Sequence, residues 1–180
     1  ALAGCGLVGT ETGATNTEYR FVPECHSEET VETIMTNLKP VVEYAEKMGV
    51  ILAIEPVFTH IIHTPQRARK MLDIIHSPNL QIIFDPVNLL HISNYENRKQ
   101  IMKDAIELLG EEIVILHIKD FQVGENELVW TAAGQGIMEY EEILSFIKHN
   151  KPWIQCTLED TVPENAVSAA EYIRGIYQRV

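Results

Sequence analysis

Five short runs of nearly continuous apolar residues recur along the chain: Cys5 to Thr10, Val50 to Glu55, Leu80 to Asp85, Ile113 to Ile118 and Trp153 to Glu159. Strands covered on both faces of a parallel sheet carry this pattern, because neither face needs polar residues. Between the runs the spacing changes to that of amphipathic helices. Glu29 to Met48 has apolar residues at helical intervals and stops at Gly49, and Thr64 with Pro65 supplies an N-cap and a first-turn proline for a helix reaching about His76. Further helices are predicted from about Tyr95 to Leu109, ahead of Gly110, from about Tyr140 to His149, and from about Pro163 to the end. Strict alternation of strand and helix permits an open doubly wound sheet or a closed barrel.

The polar residues decide between the two. Glu55, Asp85, His117 and Glu159 stand at or near the C-terminal ends of four successive predicted strands, roughly 30 to 40 residues apart, about one βα unit each. In a barrel these ends converge on one mouth, whereas in an open sheet they would spread over about 15 Å at the usual strand spacing. The expected fold is therefore α/β, a (β/α)8 TIM barrel with about five βα units present, forming a single partial domain over residues 1–180. Five strands cannot close a barrel. Their open edges are expected to be covered by further units or by another copy of the chain, so a homo-oligomer is expected.

Composition narrows the setting. With 46% hydrophobic and 22% charged residues the chain has the profile of one soluble globular domain. No apolar run approaches the roughly 20 residues that span a bilayer, and the N-terminal segment lacks the basic start of a signal peptide, so no membrane partner and a cytoplasmic address are expected. A net charge of −12, with 14 scattered Lys and Arg residues, disfavours nucleic acid. Cys5, Cys25 and Cys156 form neither an even set nor a CxxC pair, which fits a reducing compartment; they read as two strand residues and one loop thiol. No GxGxxG follows a strand, and Gly134-Gln135-Gly136 is only a GxG in a loop, so the nucleotide-cradling motifs are missing.

Two glutamates, an aspartate and a histidine make an oxygen-rich donor set suited to one divalent Mn, Mg or Co ion, and Zn is also admissible. A single acidic residue ending a strand is more often a helix cap or a solvated loop residue, but four in register favour a metal. Glu55 and Asp85 are each followed by proline, which removes the next backbone N–H and argues against simple capping there.

In the contexts ILAIEPV, IIFDPVN, ILHIKDF and CTLEDT, these residues resemble the xylose isomerase-like barrel superfamily, as do the HIKD at His117 to Asp120 and the GQGIMEY at Gly134 to Tyr140. That superfamily includes sugar phosphate isomerases, ketose 3-epimerases, inosose dehydratases and endonuclease IV. The resemblance covers essentially the whole chain, as strands four to eight of the barrel. It implies that Glu55, Asp85, His117 and Glu159 ligate one metal and that Glu55 and Glu159 double as acid and base. The implied enzyme is an isomerase of ketose epimerase or aldose-ketose type, which moves a proton through an enediolate of a sugar or sugar phosphate.

Five further residues are candidate substrate contacts: Glu11, His63, Asn88, Lys119 and Asp120. Asn88 stands where many relatives carry a histidine, and this departure weighs against a multinuclear zinc site. It serves equally as a loop-turn residue. Lys119 and Asp120 could meet a phosphate or an enolate oxygen, or form an ion pair that braces the loop. His60 and His63 lie in the loop after Glu55, where solvated histidines are common, and Trp130 reads as loop packing ahead of a sugar-stacking role. Three other readings stay open: an inosose dehydratase, a DNA-repair relative of endonuclease IV, and a sugar-binding barrel without turnover.

Overall fold

A computed structural model describes all 180 residues. The elements run β1 (Leu7–Glu11), α1 (Glu28–Met48), β2 (Ile51–Glu55), α2 (Pro65–Ile75), β3 (Leu80–Phe84), α3 (Arg98–Leu109), β4 (Ile113–Ile118), β5 (Asp120–Val123), β6 (Leu128–Thr131), α4 (Glu141–Asn150), β7 (Gln155–Leu158) and α5 (Pro163–Arg179). Five strands form one sheet in the order β1-β2-β3-β4-β7, with every printed pairing parallel, and helices separate them along the chain. This is the partial β/α barrel framework expected from the alternation together with the polar strand ends. No helix is long and apolar enough to cross a membrane.

The chain packs as two compact units, Ala1–Phe84 with Leu108–Val114, and Asp85–Glu107 with Ile115–Val180. In the first, α1 buries Val31, Met35, Leu38, Val42 and Ala45, one stripe at helical spacing. Ser27 caps its N-terminus by accepting from the Thr30 amide, and Gly49, at φ 64°, ends it in the left-handed conformation that glycine adopts without strain. Thr64 caps α2 in the same way through the Arg67 amide, with Pro65 in the first turn. β1 and β2 pair residue for residue from Leu7 with Ile51 to Glu11 with Glu55.

The loop after β2 is tied to the loop after β1: the Ile62 amide donates to Thr12 Oγ1 at 3.0 Å, and the Ile61 amide to the Gly13 carbonyl at 3.2 Å. His63 is not solvated as expected of a loop histidine. Its ring stacks on that of His26 with centroids 3.4 Å apart and planes 15° apart, and Phe58 approaches both edge-on. Arg67 donates to the His26 carbonyl at 2.7 Å and to Glu28 at 3.0 Å, which pins the cluster to the start of α1.

In the second unit β4 and β7 pair in parallel from Ile115 with Gln155 to Ile118 with Leu158. The antiparallel hairpin β5–β6 occupies a stretch expected to be loop. Its signal was present, FQV and LVW flanking Gly-Glu-Asn-Glu, but four-residue strands are too short to stand out by periodicity. Two other boundaries shift: Cys5 precedes β1 and is exposed, and Trp153 lies in a turn ahead of β7, while Cys25, the expected loop thiol, is buried in a short 3-10 turn. No disulfide links the three cysteines.

Asp120 holds the loop beyond the hairpin. Fully buried, its carboxylate accepts from the amides of Phe121 and Met138, each at 2.8 Å, and of Gly134 at 3.1 Å. Its oxygens thus serve backbone donors, so Asp120 braces the GQGIMEY segment rather than a Lys119 ion pair. Asp120→Ala should cost about 3–4 kcal/mol in urea unfolding, because three amides lose their acceptor in a dry setting, while Asp120→Asn should cost less. Equal stability of Asp120→Ala and the parent chain would contradict this role.

Burial holds the His63 imidazole down at about 4, with the nearby His26 and Arg67 acting in the same direction. Between that value and the ordinary 6.5, the unfolded chain binds more protons than the folded one. Stability should therefore fall as pH drops through this window, by about 2 kcal/mol for this residue after allowing for partial solvent screening. His63→Leu should flatten that part of a pH series of unfolding midpoints; an unchanged slope would count against it.

Candidate metal centre

The second unit gathers charge at the C-terminal ends of its strands. β4 delivers His117 and, one residue beyond its end, Lys119. Asp85 follows β3 directly and Glu159 follows β7 directly. One ligand atom from each of Asp85, His117 and Glu159 lies within 4.8 Å of the others. His117 Nδ1 sits 2.8 Å from Glu159 Oε1, and the Glu159 amide donates to the Ile118 carbonyl at 2.9 Å, continuing the β4–β7 ladder past the last strand residue. Strand pairing thus sets the height of Glu159 against His117.

Asp85 is fully buried, and its Oδ1 accepts from the amides of Val87 at 2.8 Å and Asn88 at 3.1 Å. The following proline therefore did not preclude capping: Pro86 removes its own N–H only, and the next two amides close the turn on the carboxylate. The second carboxylate oxygen lies 3.2 Å from Lys119 Nζ. Asn88, also buried, is placed beside Asp85 by this turn.

Lys119 is the cation of this cluster. Its ammonium lies 3.1 Å from Glu159, 3.2 Å from Asp85 and 3.7 Å from Asp160, and 4.3 Å from the centroid of the Trp130 ring. Burial pushes its pKa down, but Asp85 and Glu159 together outweigh that and hold it above the ordinary lysine value. The Tyr140 hydroxyl bonds both the amide and the carbonyl of Lys119 and is itself fully buried, so the lysine backbone is fixed. Sequence reasoning missed three members of this arrangement: Tyr140 as an anchor, Trp130 as a neighbour of Lys119, and Asp160. The last adopts a left-handed φ of 47°, a conformation that aspartate tolerates better than most residues.

Asp85 and Glu159 with the His117 imidazole offer two carboxylates and one nitrogen within a few ångströms, donor chemistry that fits a divalent ion. The oxygen donors with one imidazole suit Mg, Mn, Co or Zn, and no choice among them follows from the ligands.

In the first unit Glu55 ends β2 with a buried side chain, and its partner across the strands, Glu11, ends β1. Side chains at paired positions of adjacent parallel strands project to the same side of a sheet. Glu11 is half exposed and lies 3.4 Å from His60 Nδ1. His60 is thus the loop histidine beside Glu11.

The sequence matches the family described as "Xylose isomerase-like TIM barrel" over residues 2–176. Among curated proteins it is similar to 3-oxo-isoapionate decarboxylase of Pectobacterium atrosepticum, 32% identical over 111 residues that make up 58% of this chain and 38% of that protein. Among solved structures, a D-tagatose 3-epimerase-like protein superposes with a TM-score of 0.70 at 21% identity, covering 97% of this chain and 62% of the other. A xylose isomerase-like TIM barrel protein from Mycobacterium smegmatis, in complex with magnesium, gives a TM-score of 0.68 at 15% identity, covering 97% and 61%. The chain therefore spans less than two thirds of the length of each of these relatives. At such identities the structural likeness speaks for the fold. The family match over nearly the whole length, on a parallel β/α framework that carries its acidic residues at strand ends, makes this chain a member of the xylose isomerase-like TIM barrel family.

Proposed function

We propose that Glu55, Asp85, His117 and Glu159 hold one divalent metal ion and that the protein isomerises or epimerises a sugar by moving a proton through an enediolate. The observation that carries this reading is the buried ammonium of Lys119 lodged between Asp85 and Glu159, beside the His117 imidazole: carboxylates already gathered around a cation. Glu55 is the fourth group of the proposed set. Bound there, a divalent ion would polarise a carbonyl and its neighbouring hydroxyl and so acidify the carbon-bound proton between them.

The chain's own residues supply the remaining work. Glu159, held by its 2.8 Å contact with His117, and Glu55 are the two carboxylates that take the proton from carbon and return it. Lys119 donates to the oxygen on which negative charge develops, in a place dry enough for that bond to count. Asn88 and Glu11 meet substrate hydroxyls. The net charge of −12 weighs against abasic DNA as substrate.

A lyase reading has support of its own in the similarity to a decarboxylase. Loss of carbon dioxide from a 3-oxo acid also leaves its electron pair on an enolate, so the same oxygen stabilisation would serve. In that case the substrate is a keto acid and Glu159 protonates carbon rather than deprotonating it.

Asp85→Asn keeps an oxygen for the Val87 and Asn88 amides while removing a charged ligand. Metal content by elemental analysis should fall well below one ion per chain in that variant. Unchanged stoichiometry would contradict the ligand role.

The reaction is tested in the full-length, metal-loaded protein by exchange of the proton α to a ketose carbonyl with solvent deuterium. With its metal content matched to that of the parent by elemental analysis, Glu159→Gln should slow the exchange by about 10²–10⁴-fold. Release of carbon dioxide from 3-oxo sugar acids without any ketose exchange would favour the lyase, and nicking of abasic DNA without either would overturn both.

A further inference from the structure

Trp130 lies on β6, and its ring centroid is 4.3 Å from the ammonium of Lys119. It is not packed away as a loop residue would be, since it remains 51% exposed. The lysine is the opposite case, with only 4% of its side chain exposed. A cation held over an indole face gains most when water has been removed from it.

The ammonium's two nearest carboxylates, Asp85 and Glu159, are two of the proposed metal ligands. The lysine and a divalent ion therefore compete for the same oxygens. An ion bound there would draw those carboxylates to itself and repel the ammonium, leaving the Trp130 face and Asp160, now 3.7 Å away, as its neighbours. The backbone of Lys119 cannot follow, because both its amide and its carbonyl are tied to Tyr140. Only the side chain swings, and Trp130 bounds the space into which it can go.

We propose that Trp130 is a positioning residue that retains the Lys119 ammonium at the edge of the site once a metal ion takes Asp85 and Glu159, keeping it within reach of a substrate oxygen. This rests on Asp85 and Glu159 being ligands. Its first consequence appears in the metal affinity itself, before any substrate is added. The indole already faces the ammonium before an ion binds, so its effect on affinity is the part of that contact that strengthens when the carboxylates are drawn away; without the indole that part is lost and the ion binds more weakly. Without the lysine there is nothing to displace, and the indole no longer matters.

The test is a double-mutant cycle read by Mn2+ binding, with free Mn2+ measured from its electron paramagnetic resonance signal. Trp130→Ala should weaken binding by about 3- to 5-fold, the difference between a cation–π contact shared with carboxylates and one freed from them. Lys119→Met should tighten binding, and Trp130→Ala added to Lys119→Met should then change it by less than about 2-fold. Trp130→Phe, which keeps an aromatic face, should recover most of the loss and guards against a simple folding defect. Equal weakening by Trp130→Ala with and without Lys119 would mean a purely structural role and overturn the proposal, as would no weakening in either. If the parent protein binds no Mn2+, the metal reading falls and this inference falls with it; stoichiometric Mn2+ binding with a silent Trp130→Ala sinks this inference alone.

Discussion

A buried ammonium has few ways to exist, and the second unit is arranged around one. Lys119 keeps its charge out of water only because Asp85 and Glu159 lie within 3.2 Å of it. Removing one partner of such a pair typically costs about 3–5 kcal/mol, far more than a solvated pair on the surface. The other parts follow from that constraint. The turn after Asp85 points one oxygen at backbone amides and the other at the lysine, the β4–β7 ladder sets Glu159 opposite His117, and Tyr140 fixes the lysine's main chain. The same carboxylates that tolerate a lysine also suit a doubly charged ion, so a side chain and a metal are alternative answers to one electrostatic demand.

The first unit solves a different problem with different means. Its strand-end loops are joined by hydrogen bonds and by a stack of aromatic and imidazole rings, with ion pairs such as Arg67 to Glu28 and His60 to Glu11 around them. A histidine whose imidazole is kept uncharged is a packing group with a hydrogen-bonding edge. That explains how two histidine rings can lie face to face at 3.4 Å, an arrangement that two imidazolium ions would resist.

Much of the framework was legible from residue order because it rests on local signals. The run ILAIE, the stop at Gly49 and the start at Thr64 and Pro65 each act within a few residues, and the two helices they bound begin and end within a residue or two of where those signals place them. The polar strand-end residues could be read for a related reason, since a charged side chain closing an apolar run demands an explanation wherever it occurs. What could not be read depended on partners distant in sequence. Nothing near Lys119 announces that Trp130 will lie over it or that Tyr140 will hold its backbone. Nothing near Asp120 says that its oxygens will serve Gly134 and Met138. His60 and His63 differ by three positions and not at all in residue type, yet one meets Glu11 and the other a second ring, a choice made by the loop's bonds to Thr12 and Gly13.

The glycines of Gly134-Gln135-Gly136 carry a different kind of information. A side-chain carbon at position 136 would fall 2.1 Å from the Phe121 carbonyl oxygen and 2.4 Å from Asp120 Oδ1, and one at position 134, where φ is 85°, would press into the Tyr172 ring at 2.8 Å. Both residues are glycine because neighbouring atoms already fill the volume, one against backbone and one against an aromatic ring. The two-glycine spacing that elsewhere marks an opening for phosphate is here the imprint of crowding. A scan of amino-acid tolerance along this stretch would trace the close approach of the loop to β5 and α5, with the exposed Gln135 between them free to vary.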